Sequence, residues 1–286
     1  MSNKVIISAD CTCDLNKKLS ERYDIKEMPL HIVIGGKSYE DWVNITPEEL
    51  YDIFYKTKEL PHTTAVSVGE YTDFFQQFVD EGYDVVHISL GSKLSVTHQS
   101  SALAAQEFDG HVFSVDSCSL STGTGLLVIK AAEMRDQGKS AKEIAEAIQG
   151  MVTKSHASFV LDRLDFMRAG GRCSTVAMLG ANMLSLKPSI EVVNTDGGAM
   201  TVGKKYRGKY DKVLLQYMED TLARYEDIDH DRVFITHAGA NEEYVQKVYE
   251  ALKAKKIFDE IHITRASCTI SSHCGPNTLG VLFMTK

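Results

Sequence analysis

Residues 84–97 read DVVHISLGSKLSVT, and the change of character within them decides the fold. Asp84 to Leu90 is an apolar run of buried-strand length, Gly91 to Thr97 is a polar turn, and Leu94 to Phe108 becomes helical and Ala-rich. A buried strand that feeds a helix through a polar turn is the repeating unit of α/β architecture. The unit recurs in both directions. Upstream, Val5 to Ala9 is strand-like, and Gly35-Gly36 sits between Ile25–Ile34 and Lys37–Val43 as a hairpin turn. Downstream, Val112 to Val115 leads into a helix over Leu126 to Met134. Ala157 to Leu161, Ile190 to Val193, Arg232 to Thr236, Ile261 to Ala266 and Leu279 to Met284 read as strands, with helices over Met178–Leu184 and Glu242–Lys255. Thr46/Glu49, Ser67/Glu70 and Ser140/Glu143 have capping-box spacing, so three helix starts are predicted there. The chain is expected to be α/β with two domains, 1–154 and 155–286, because the helix end at Gln149-Gly150 precedes a new cycle near Ser155.

Composition narrows the function classes. With 286 residues, 43% hydrophobic and 24% charged, the chain has the makings of an ordinary globular core. A net charge of −8 argues against nucleic acid as the main partner, since phosphate contacts need a basic footprint. The opening MSNKVIISAD lacks the apolar core of a signal peptide, and no apolar run nears the ~18 residues of a membrane span. A cytoplasmic location without stable membrane insertion is the expectation. The six cysteines are then expected to be reduced, and none has CxxC spacing, so no metal site is expected.

Polar residues gather at the ends of strands, where open α/β sheets place ligand sites. The clusters are Asp10–Asp14, Pro61–Thr64 between two helices, Gly91–Thr97, Gly170–Arg172 and Ser271–Pro276. A hydroxyl ahead of a helix is more often simply its N-cap, so each cluster alone is weak evidence of a site. Walker A, GxGxxG, HExxH and GxSxG motifs are missing from the sequence. Ser95 and His273 have the chemistry of a nucleophile and base, with no acidic partner evident in sequence. The basic run Lys204-Lys205-Tyr206-Arg207-Gly208-Lys209 reads either as a solvated turn and helix start or as a docking patch.

The ordered series SADCTCDL (8–15), PHTT (61–64), ISLGSKLSVTHQS (88–100), VDS (115–117), FVLDRLDFMRAGGR (159–172), LKP (186–188), YRG (206–208) and SSHCGPNTLG (271–280) resembles the DegV family over essentially the whole chain. The stretch ending in Gly-Gly-Arg, the Leu94-Ser95-x-Thr97 turn and the closing His-x-Gly-Pro are its most specific pieces. The resemblance implies two α/β domains with a long-chain fatty acid in the cleft between them, headgroup loops on the first and the acyl tunnel lined by the second. It implies a carrier without chemistry of its own, needing no cofactor, that presents the carboxylate to a separate fatty-acid kinase for phospholipid synthesis. Carried over by motif, Thr63, Ser95 and His273 hold the carboxylate, Arg172 borders the site, and Arg207 docks the kinase. The chain departs from the family pattern at Cys11, Thr64, Val96 and His98. Two other readings stay open: a serine acyl hydrolase using Ser95 and His273, and a regulatory interaction module with incidental lipid.

A fatty acid needs donors at one end and a dry channel at the other. A tail of about 14 methylenes offers about 11 kcal/mol gross at ~0.8 kcal/mol each, before the costs of ordering. Met167, Met178, Leu179, Met183 and Leu184 cluster around the Gly-Gly-Arg block as candidate lining, methionine being suited to flexible ligands. If the imidazolium form of His273 is the one that binds, affinity is expected to fall as pH rises.

Overall fold

The computed structural model describes residues 4–177 and 186–286. Its first sheet is parallel, with strands Ile25–Met28, Lys4–Asp10, Tyr83–Ser89 and Val112–Asp116 side by side in that order. Val85 faces Tyr71 and Phe75 on one side, while Val86 and Ile88 face Leu127, Ile129 and Ile144 on the other. Both faces are thus covered by helices, which explains why the 84–90 run is apolar rather than alternating.

The second sheet lies in residues 155–285 and is mostly antiparallel. Its order is Ala199–Arg207, Leu186–Val193, Ser158–Val160, Thr278–Thr285, Ile228–Ala238 and Glu260–Arg265, with Ser155–His156 added against Thr278–Thr285. One face carries the helices Tyr210–Leu222 and Glu242–Lys255 over Val233, Ile235 and Phe283. The other face turns toward the first sheet, so that Phe234, Leu282 and Met284 share a core with Leu126 to Ile129. Those four residues are consecutive and all buried in the helix Ser121–Asp136. A stretch of helix buried on every side is an interior one, and this part of the helix lies between the two sheets.

A three-stranded antiparallel sheet of Lys37–Glu40, His31–Ile34 and His62–Thr64 sits beside them. Gly35 and Gly36 take φ of 60° and 69° in its hairpin, the left-handed geometry of a two-residue turn. All three predicted capping boxes are present, at Thr46/Glu49, Ser67/Glu70 and Ser140/Glu143.

Several local expectations need correction. Pro61–Thr64 does not merely join two helices, since His62–Thr64 is a strand of the small sheet. Ser271–Pro276 does not lie wholly at a strand end, because Ser271–Cys274 form the last turn of a helix, Cys268–Cys274. Lys204 to Arg207 end an outer strand of the second sheet rather than forming a turn. The helix expected over Met178–Leu184 lies outside the described residues.

Candidate functional site

The short helix Cys268–Cys274 is the element around which the site is built. Ser267 caps it, its side chain accepting from the Ile270 N–H at 3.4 Å. Two buried carboxylates from the first half of the chain hold the same end. Asp41 accepts from the N–H groups of Cys268 at 2.8 Å and Thr269 at 2.7 Å. Asp14 accepts from the Ser267 N–H at 2.8 Å and from the Ser121 hydroxyl. Free N–H groups and the helix dipole suit negative charge at that end. Burial nevertheless raises both carboxyls, Asp14 to about 7, against the lowering effect of these hydrogen bonds.

Anchored in this way, the helix turns Thr269, Ile270, His273 and Cys274 toward a cavity of about 450 Å³. Its apolar wall includes Leu30, Leu90, Leu94, Leu120, Met200 and Ile270, and Thr63, Ser95, Lys93 and Arg172 bring polarity. Neither Asp nor Glu is among the described lining residues. The volume lies within the usual ~300–1,000 Å³ of a ligand pocket. Beyond Leu120, Ile270 and Cys274, which line both, lies a smaller space of about 20 Å³ bordered by Phe159, Thr236 and Leu282.

Thr63, Ser95, His273 and Arg172, predicted from four separate segments, therefore meet at one cavity. Thr63 Oγ1 lies 2.9 Å from His273 Nε2. His273 Nδ1 is buried without a hydrogen-bond partner among the described residues. It is backed by Gly170, where an added Cβ would come within 2.3 Å of it. A buried N–H with no acceptor costs more than a bare lone pair, so the proton belongs on Nε2 and is donated to Thr63. The Thr63 hydroxyl proton is then free to point into the cavity. Burial, with Arg172 and His62 adding positive charge, pushes the imidazole down to about 4. With no carboxylate beside it among the described residues, the imidazole is therefore neutral at physiological pH.

Ser95 follows the same logic. Its Oγ accepts from the Thr97 N–H at 3.2 Å and lies 2.7 Å from Thr97 Oγ1. Thr97 is fully buried, so its hydroxyl proton needs Ser95 as acceptor. With its acceptor sites occupied, Ser95 has its own proton left to give. Two hydroxyl donors thus face an anion-tolerant cavity. Ser95 bonds within its own turn and the His273 ring bonds Thr63, so among the described residues these two side chains form no serine–histidine–acid relay.

Other expectations divide. Asp10 and Asp14 are buried scaffold: Asp10 accepts from the Leu90 N–H at 2.7 Å and from the Tyr71 hydroxyl, fixing the start of the Gly91–Ser95 segment. Met167 packs in the core rather than on the cavity, where Met200 stands instead. Met178, Leu179, Met183 and Leu184 lie outside the described residues. Arg207 is exposed and is not among the lining residues. Asp41 went unnoticed in the sequence, since a lone acidic residue after a hairpin carries no local signal of the helix it holds 227 positions later. Among the described residues, no helix is long and apolar enough to cross a membrane.

Comparison with known proteins gives a consistent picture. Residues 4–286 match the family described as "Uncharacterised protein, DegV family". The chain is 30% identical over 287 residues to a DegV domain-containing protein of Clostridium acetobutylicum and 31% identical over 286 residues to one of Caldanaerobacter subterraneus subsp. tengcongensis; in each case 99% of both chains is covered. Among solved structures it is similar to a DegV family protein from Thermus thermophilus described by its fatty acid binding, with TM-score 0.89 and 27% identity over 99% of this chain and 100% of that one. It is also similar to a Thermotoga maritima protein described as revealing a fatty acid binding function, with TM-score 0.84 and 27% identity over 99% and 100% of the two chains.

Proposed function

The chain belongs to the DegV family, and from that premise we propose that it is a non-enzymatic carrier that binds one long-chain fatty acid in its cleft. The carrying observation is the pair of hydroxyls, Thr63 and Ser95, which are paired with His273 and Thr97 respectively while both line a largely apolar cavity. Donors without nearby carboxylates suit a carboxylate headgroup, and the apolar wall suits an acyl tail. The fatty-acid binding described for the Thermus and Thermotoga proteins supports the same assignment. In this reading Thr63, Ser95 and the His273–Thr63 pair hold the carboxylate, and Arg172 borders it. We take the division into domains to fall between residues 154 and 155, a reading supported by the last strand of the parallel sheet ending at Asp116 and the first strand of the second sheet starting at Ser155. Organic extraction of the purified protein, followed by lipid analysis, is expected to release a long-chain acid. Finding none, and no uptake of added palmitate or oleate after delipidation, sinks the assignment.

The carrier works in the cytoplasm and presents its carboxylate to a separate kinase, which forms the acyl phosphate used in phospholipid synthesis. Arg207, exposed at the end of the strand Ala199–Arg207, docks that kinase through an acidic surface. Arg207→Ala should keep its lipid yet support slower acyl-phosphate formation with a cognate kinase and ATP, and should be less salt-sensitive than the parent. Loss of the lipid, or unchanged turnover at low and high salt, excludes the docking role.

A further inference from the structure

Three backbone segments meet beside the cavity, one from the first domain and two from the second. The segment Gly91–Ser95 leaves the central parallel strand, and the turn around Asp196–Gly198 lies directly on it. The Lys93 N–H donates to the Gly197 carbonyl at 2.9 Å. A Cβ added at Gly91 would come within 2.7 Å of that same carbonyl oxygen, so only glycine allows this approach. The third segment is Gly170–Arg172. Arg172 Nη1 donates to the Gly170 carbonyl at 2.7 Å, which braces the side chain, and Nε donates to the Leu94 carbonyl at 3.3 Å, across the cleft. Leu94 belongs to the apolar wall and Ser95 follows it.

We propose that Arg172 is a latch: by tying the Leu94 carbonyl to the Gly170–Arg172 segment, it sets how fast the ligand enters and leaves rather than how tightly it is held. The inference rests on the fatty-acid reading of the cavity. An acyl chain entering between Leu94 and the second domain has to part the Arg172–Leu94 bond and the neighbouring Lys93–Gly197 bond. Among the described residues, the two hydrogen-bond partners of the guanidinium are neutral carbonyls. An arriving carboxylate is the stronger acceptor and competes for those N–H groups, so a fatty acid helps open its own way in. After the acid settles on Thr63 and Ser95, the guanidinium returns to the carbonyl. Lysine cannot replace it, because a single ammonium on a flexible stem lacks the planar fork that spans two carbonyls in fixed geometry.

The test uses the full-length, delipidated protein and stopped-flow exchange of a fluorescent long-chain fatty acid, alongside a fluorescent fatty alcohol of equal length. In Arg172→Ala, association and dissociation rates should both rise about tenfold or more, so that Kd changes far less than either rate, because a charge-assisted hydrogen bond is lost from the closed state whichever direction is timed. The alcohol, which cannot compete for the guanidinium and gains no help in opening the parent latch, should be accelerated at least as much, and Arg172→Lys should behave like Arg172→Ala. A variant that dissociates faster without associating faster, weakens Kd in proportion and leaves the alcohol unaffected overturns the latch in favour of direct carboxylate contact. Restoration of parental rates by lysine overturns it too. Hydrogen–deuterium exchange separates this from the parent reading: the Lys93 and Leu94 amides should exchange faster in Arg172→Ala with no ligand present. Unchanged exchange there defeats the latch even if fatty acid binds, whereas failure of the parent protein to bind any fatty acid defeats the carrier reading alone.

Discussion

The two bonds from Thr97 to Ser95 decide what a change at Ser95 would cost. Ser95→Ala removes a turn-capping acceptor, worth about 1 kcal/mol of stability. If the free proton of Ser95 also holds the ligand carboxylate, the variant loses a hydrogen bond to a charged group as well, about 1.5–3 kcal/mol, or roughly tenfold to a hundredfold in Kd. Calorimetric affinity and melting temperature should therefore both fall in the same preparation, and a lowered melting temperature with unchanged affinity would leave Ser95 with the capping role alone. At His273 the expectation has a pH dimension. The imidazole is held down to about 4, so it stays neutral from pH 6 to pH 8. His273→Ala should weaken binding by a similar factor at both pH values. A loss concentrated at pH 6 would show that the bound form is the imidazolium after all.

At the scale of elements, the cavity wall depends on a helix of only seven residues, too short to be stable alone. Asp41 and Asp14 stand where its free N–H groups emerge, while the Tyr51 hydroxyl donates to the Ser271 carbonyl at 3.2 Å farther along. Asp41→Asn keeps the shape but turns an NH₂ toward one of two backbone donors. A cost of about 1–3 kcal/mol in unfolding free energy is expected from the bond lost and the donor left unsatisfied. Since His273 rides on the last turn, fatty-acid affinity should drop together with stability. Urea unfolding and ligand titration on the one variant check this, and intact affinity beside reduced stability would mean that Asp41 supports the fold without placing His273.

For the whole molecule, much of the architecture was legible because it follows from periodicity. The buried parallel strand, the capping boxes and the hairpin each carry a local signature that tertiary structure did not overrule. The convergence of Thr63, Ser95, Arg172 and His273 was carried by motif resemblance, since no local rule brings positions 63 and 273 to within 2.9 Å. The short helix at Cys268 and its carboxylate anchors stayed hidden because both depend on partners more than 200 residues away. Asp14 also links the two halves of the chain to pH. Its folded carboxyl holds a proton up to about 7, against an ordinary value near 3.8, so the native state retains a proton that the unfolded chain has already lost. The contribution of Asp14 to stability is therefore complete below about pH 4 and is lost as pH rises toward 7, on the order of a few kcal/mol at ~1.4 kcal/mol for each pH unit crossed. His273 and His237 act oppositely. Burial holds each down to about 4, so the unfolded chain takes up protons first as pH falls below about 6.5, and stability falls with it. The parent protein should then show a shallow profile in which these terms offset one another. Asp14→Asn, which can still accept from Ser267 and meet Ser121, removes only the carboxyl term. Its stability relative to the parent, measured by urea unfolding from pH 4.5 to 8, should increase steadily up to about pH 7 and level off above it. A difference that does not change with pH would show that Asp14 loses its proton in the ordinary carboxylate range and that the contact between Asp14 and Ser267 is insensitive to pH.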